Sequence, residues 1–257
     1  MSNLHPTPYQ DVNKILILLL TEAKTVLGRQ FIGMYLYGSF ASGDFDLKSS
    51  DIDFLVVTES VLPKKLVSEL ETMHNRIWKT GSKWAAKLEG SYVHRELIRR
   101  HDPDGAPCPT VNEENFYLDR RGSDWIIQRH VIRENGVVLE GPDPKTLIDF
   151  VSPDDIRSAV LSTLREWWFP MLDDKPWLLK RGSEYHAYAI VSMCRALHAL
   201  EHGTIVSKPQ AVQWAKKTLA PKWRPLIDQA VVSAHGQQPD ILNEALQFIR
   251  YTLEKTS

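Results

Sequence analysis

Two short runs rich in aromatic and β-branched residues, FIGMYLYGSF (Phe31 to Phe40) and DIDFLVVT (Asp51 to Thr58), flank a stretch dominated by Gly, Ser and Asp. Such runs read as strands, because branched and aromatic side chains suit a pleated surface, and the stretch between them reads as a functional connection. Helical spacing precedes them. From Pro8 to about Gly28 the apolar positions Val12, Ile15, Leu18, Leu19, Leu20, Ala23, Val26 and Leu27 recur as on one helix face, with Gly28 as the stop. After the strands, Pro63 to about Thr80 returns to helical spacing, and AAKLEGSYVH (Ala85 to His94) to an extended pattern. The order is helix, strand, strand, helix, strand.

Residues Arg99 to Arg121, rich in Pro, Asp, Gly and Asn, predict a long surface loop able to fold over a ligand. Asp124 to Arg133 predicts a short helix capped by Gly136, and Val137 to Leu139 a last short strand before the punctuation Gly-Pro-Asp-Pro at Gly141 to Pro144. Beyond it the character changes. Ser152, Pro153, Asp154 and Asp155 combine an N-cap, a proline for the first turn and two acids that suit the positive helix end. That helix is expected to run to about Phe169, followed by helices over Glu184 to His202, stopped by Gly203, and over Pro209 to Leu219, Trp223 to Ala234 and Asp240 to Glu254. The expected fold is α/β in the α+β sense. Residues 1–150 form an N-terminal mixed-sheet domain and residues 151–257 a C-terminal all-α helical bundle domain.

At 257 residues with 43% hydrophobic content, the chain can bury a sizeable core. Its 31 Lys and Arg against 32 Asp and Glu leave a net charge of -1, without the basic stripe of a nucleic-acid binder, so no nucleic-acid partner is expected. The start MSNLHPTPYQ lacks a signal pattern and ILILLL (Ile15 to Leu20) is too short to span a bilayer, so no membrane partner and a cytoplasmic location are expected. Cys108 and Cys194 sit in unrelated contexts with no metal-ligand spacing.

The chemistry lies in GSFASGDFDLKSSDID, Gly38 to Asp53. Side chains on a strand alternate faces, so Asp51 and Asp53 are expected to point one way while Ile52 and Phe54 enter the core. Two carboxylates on one face suit magnesium, a hard cation commonly held by one or two carboxylates together with substrate phosphates. The Gly38-Ser39 turn brings backbone N–H groups and a hydroxyl towards a triphosphate, and Ser50 adds a second hydroxyl.

A Gly-Ser pair, a Gly-containing spacer and Asp-x-Asp on the next strand together resemble the polymerase-β-like nucleotidyltransferase superfamily. That resemblance implies a third carboxylate from a later strand, for which Glu89 in KLEGSYV is the candidate, as metal ligand, catalytic base or both. The whole chain is similar to the aminoglycoside adenylyltransferases that modify streptomycin and spectinomycin. VVLEGP (Val137 to Pro142), the run Arg195 to Trp214, and Lys222 to Pro225 fall in the order of that family. The resemblance implies an enzyme that uses Mg2+ and ATP as co-substrate to adenylylate a hydroxyl of a small molecule. It assigns Asp51, Asp53 and Glu89 to catalysis and metal, and Ser39, Ser50, Asp124, Arg195 and Lys208 to the nucleotide. Trp167 falls where the family has an aromatic that packs on the drug, with Asp173 and Asp174 as acceptor-side acids displaced from the family register. At the next acidic position stand Glu184 and Tyr185, and a tyrosine that the family keeps near the nucleotide falls at about Ala234. Two other readings keep the same metal motif: an adenylyltransferase acting on a partner protein, and a nucleotide-binding sensor without transfer activity.

Overall fold

Val12, Ile15, Leu16, Leu19, Leu20, Ala23 and Leu27 are all buried, the one-face spacing of an amphipathic helix, and they belong to α1 (Gln10–Leu27). In the computed structural model, which describes residues 6–48, 50–233 and 241–256, the chain packs as two units, Met1–Phe150 and Val151–Ser257. After α1 the first unit runs β1 (Phe31–Leu36), α2 (Gly38–Ser42), β2 (Ile52–Thr58), α3 (Lys64–Trp78), α4 (Lys83–Ala86) and β3 (Leu88–His94). It continues through α5 (Arg95–Arg99), β4 (Cys108–Asn112), β5 (Asn115–Asp119), α6 (Asp124–Asn135), β6 (Val137–Glu140) and α7 (Pro144–Leu147). The strands form one mixed sheet in the order β5-β4-β3-β2-β1-β6. β2 and β3 run parallel, and the other neighbours are antiparallel.

The period of two divides the sheet into two faces. Met34, Leu36, Ile52, Phe54, Val56, Leu88 and Tyr92 pack with Leu16, Leu19, Leu70 and Met73 of α1 and α3. Tyr35, Leu55, Val57 and Val93 pack instead with Leu97, Ile98, Trp125 and Ile132 of α5 and α6. Asp53 and Glu89, interleaved between residues of the first set, therefore open on the α6 side.

Three local expectations change. The strand begun at Phe31 ends at Leu36, because Gly38 takes φ 55 and turns the chain into α2. The segment expected as a loop from Arg99 to Arg121 contains the β4–β5 hairpin, which extends the sheet to its edge. Asp51 lies just before β2 rather than within it.

His74 of α3 is wholly buried, its Nε2 2.8 Å from the Tyr92 hydroxyl, among the rings of Phe54, Trp78, Tyr92 and Phe116. Burial pushes its pKa down to about 3. The unfolded chain takes up a proton near pH 6.5 that the folded chain refuses, so the stability tied to neutral His74 is complete above pH 6.5 and is lost as pH falls towards 3. By pH 5 the loss is about 2 kcal/mol. Urea unfolding at pH 7.5 and pH 5 is expected to show it in the wild type and not in His74→Leu. Parallel losses in both proteins would contradict the assignment.

The second unit is helical among its described residues: α8 (Pro153–Thr163), α9 (Phe169–Asp173), α10 (Lys175–His202), α11 (Lys208–Thr218), α12 (Arg224–Ser233) and α13 (Leu242–Glu254). Ser152 and Asp155 form the capping box ahead of α8. A π-helical stretch, Leu164–Trp168, interrupts the helix expected to reach Phe169. α10 starts earlier than Glu184, and its kink at Gly182, φ 76, marks where the expected helix was placed. The expected helix ends at Ala234 and Asp240 lie outside the described residues. Among the described residues no helix is long and apolar enough to cross a membrane.

Candidate active site

β1 delivers Tyr37 and Gly38 to the end of the sheet, where the Tyr37 N–H donates to Asp53 O at 3.1 Å. A Cβ built on Gly38 would sit 1.9 Å from Asp53 Oδ2, so only glycine lets the turn pass this close to the carboxylate. Asp53 is register partner to Glu89 on the parallel strand β3, and both are half-buried on the same face. Ser39, the next residue of the turn, has its Oγ buried with no hydrogen-bond partner.

Tyr37 reports what surrounds this point. Burial pushes its phenol well above the usual value, Asp53 and Glu89 push the same way, Arg121 opposes them, and Asp124 adds to the rise. Asp124 opens α6 and accepts a hydrogen bond from Gln128 Nε2 at 2.8 Å. Its carboxyl is raised by desolvation and lowered by the Arg121 guanidinium. Ser39, Asp53, Glu89 and Asp124 thus gather at one end of the sheet.

Asp51 and Ser50 have other occupations. Asp51, 55% exposed, has its Oδ1 3.5 Å from Lys87 Nζ, which also donates to Ser50 O at 2.9 Å. Ser50 Oγ accepts from the Asp46 N–H at 2.9 Å. Among the described residues no three His, Cys, Asp or Glu side chains are grouped to hold a metal. Asp51 precedes β2 and lies beside Lys87, while Asp53 and Glu89 are register partners on neighbouring strands.

The remaining candidates belong to the second unit. Arg195 is half-buried on α10. Lys208 is the first residue of α11, behind its Ser207 cap, with Nζ 5.7 Å from the centre of the Tyr188 ring. Trp167 lies in the π-helical stretch, half exposed, edge-on to Trp177. Asp173 is exposed at the end of α9, and Asp174 caps α10 by accepting from the Trp177 N–H at 3.1 Å.

Sequence reasoning passed over Tyr37 and Arg121. Tyr37 is signalled only by its place directly before Gly38, and Arg121 only as a basic residue two positions after Asp119 in a polar segment.

A mixed sheet that sets paired carboxylates beside a Gly-Ser turn is the arrangement of a nucleotidyltransferase, and residues 20–101 match the family described as nucleotidyltransferase domain. Residues 146–255 match the family described as aminoglycoside adenylyltransferase, C-terminal domain. The chain is a nucleotidyltransferase whose two matched regions are together similar to the aminoglycoside adenylyltransferases. It is 26% identical to a spectinomycin 9-adenylyltransferase of Staphylococcus aureus, over 93% of this chain and 90% of that one. A spectinomycin 9-adenylyltransferase of Campylobacter jejuni is 23% identical over 97% and 95%. The crystal structure of a spectinomycin adenyltransferase AAD(9) from Enterococcus faecialis, with ATP and spectinomycin, shares the fold with a TM-score of 0.70. It is 18% identical, and the match covers 94% of this chain and 98% of that chain.

Proposed function

We propose that the chain is a magnesium-dependent adenylyltransferase that moves AMP from ATP to a hydroxyl of an aminocyclitol antibiotic, with spectinomycin the first acceptor to test. The observation that carries this is the register pairing of Asp53 with Glu89 beside the Gly38 turn, where the Ser39 hydroxyl is buried without a partner. A phosphate oxygen would satisfy that hydroxyl. The spectinomycin adenylylation for which the relatives are named, and the ATP and spectinomycin held by the structural neighbour, support the nucleotide and the acceptor. A chain of 31 basic and 32 acidic residues suits a small acceptor better than a nucleic acid.

The donor set fits magnesium, which takes oxygen ligands and is commonly held by one or two carboxylates, water and substrate phosphates. Asp53 and Glu89 would hold it, joined by Asp51 on leaving Lys87. Bound there, it would neutralise charge on the transferred phosphoryl group. The chain's own groups account for the rest. Ser39 and Ser50 donate hydrogen bonds to phosphate oxygens, and Asp124 borders the site. Glu89 takes the proton of the acceptor hydroxyl as its oxygen bonds to the α-phosphorus, and the bond to the leaving pyrophosphate breaks. Arg195 and Lys208 supply positive charge to the triphosphate, and Trp167, Asp173 and Asp174 contact the acceptor.

The test is pyrophosphate release from ATP over spectinomycin, streptomycin and other aminocyclitols, titrated with magnesium for the wild type and Asp53→Asn. The variant is expected to need about tenfold or more magnesium for half-maximal rate. Equal magnesium dependence sinks the metal assignment, and a wild type indifferent to every aminocyclitol sinks the acceptor.

A further inference from the structure

Three carboxylates gather at one end of the sheet, Asp53 and Glu89 in register and Asp124 at the start of α6, while Asp119 ends β5 opposite Cys108, further along the strands. Arg121 lies among them with its side chain only a tenth exposed. Its Nη1 donates to Ser91 Oγ at 3.0 Å, and its Nη2 donates to Thr110 Oγ1 at 2.7 Å and Asp119 Oδ2 at 3.2 Å. The guanidinium sits 5.6 Å from the centre of the Trp125 ring.

The partners matter more than their number. Ser91 follows Glu89 by two residues on β3, so both project to the same face, and Ser91 is register partner to Thr110 on β4. One planar fork therefore grips the strand that carries Glu89 and the hairpin beside it. A solvent-facing arginine would gain little from two neutral hydroxyls, whereas a buried one must find such partners, and the fixed geometry of a guanidinium holds both strands at once. The same cation opposes the carboxylates that surround Tyr37, Asp124 among them.

We propose that Arg121 is a positioning residue for the transfer, locking β3 and its Glu89 carboxylate against the β4–β5 hairpin and offsetting the negative charge of the cluster. This rests on the reading of Glu89 as the base. Arg121 touches no reacting atom; it acts through the strand and through the charge it places near Glu89.

Arg121→Ala is expected to lower kcat about 10- to 100-fold, as loss of a group that orients a catalytic ligand does. KM for ATP and for the acceptor should stay within about threefold, because the missing interaction is felt in the transition state and not in binding. Guanidinium ion at millimolar concentration should restore part of the lost kcat in Arg121→Ala and none in Glu89→Gln. Arg121→Lys, which keeps the charge without the fork, should fall between wild type and alanine, and it carries the same kcat-against-KM test if the alanine variant does not fold. A purely structural clamp would lower the unfolding temperature, leave kcat per folded molecule unchanged and show no rescue. That result, or a loss confined to KM, overturns the proposal. Should the wild type release no pyrophosphate with any acceptor, the acceptor reading fails and ATP titration decides Arg121. Unaltered ATP affinity in the folded variant supports a positioning role, and about tenfold weaker affinity overturns it by making Arg121 a nucleotide ligand.

Discussion

Glu89→Gln is expected to lower kcat by about 100- to 10,000-fold, the range that a positioned general base contributes. The substitution keeps the shape of the side chain and its place in the register opposite Asp53, and removes the charge, with its pull on the metal, and the ability to take a proton. At saturating magnesium, binding should hold, because the triphosphate partners proposed for the nucleotide, Ser39 and Ser50 in this unit, are untouched. The expected signature is a collapse of kcat with KM for ATP nearly unchanged. Single-turnover measurement of pyrophosphate release at saturating ATP and spectinomycin reads it directly. A kcat within about threefold of wild type would remove Glu89 from the chemistry. A rise in KM for ATP with kcat preserved would make it a binding residue instead.

The place of Glu89 on a strand beside Asp53 was readable from its neighbours. Leu88 and Gly90 on either side of it are buried, and its strand follows the one that carries Asp53. Asp53 was readable for the same reason, since Ile52, Phe54 and Val56 all reach the core on the opposite face. The helices of the second unit announce themselves by caps, Ser152 with Asp155 at one end and Gly203 at φ 66 at another. What stayed hidden depends on pairings distant in the chain. Lys87 reaches Asp51 across a separation of 36 residues, which no local period encodes. The β4–β5 hairpin turns through Glu113 and Glu114, at φ 47 and 58, without the Asn-Gly or glycine that marks such a turn, and the Pro, Asp and Gly ahead of it read as loop. Arg121 looks like a surface residue until its partners, Ser91 and Thr110, 30 and 11 positions away, are seen beneath it.

Gly38→Ala should be nearly as damaging as loss of the base, and for two separable reasons. An alanine at φ 55 pays the steric cost of the left-handed region, about 1 kcal/mol. Its methyl would also sit 1.9 Å from Asp53 Oδ2, closer than any real contact, so the carboxylate must move by more than an ångström. Displacement on that scale lowers activity at least about 100-fold. Gly43 separates the two effects. It too is left-handed, at φ 75, but a Cβ there meets nothing within 4 Å. Gly43→Ala should therefore lose a similar amount of stability, about 2–4 °C in unfolding temperature, with pyrophosphate release close to wild type. Gly38→Ala should lose that stability and the activity together, because the methyl strikes the carboxylate proposed to hold the metal. Equal activity in the two variants would mean that the Asp53 carboxylate can swing aside without consequence, and the paired-carboxylate site would then have to be abandoned.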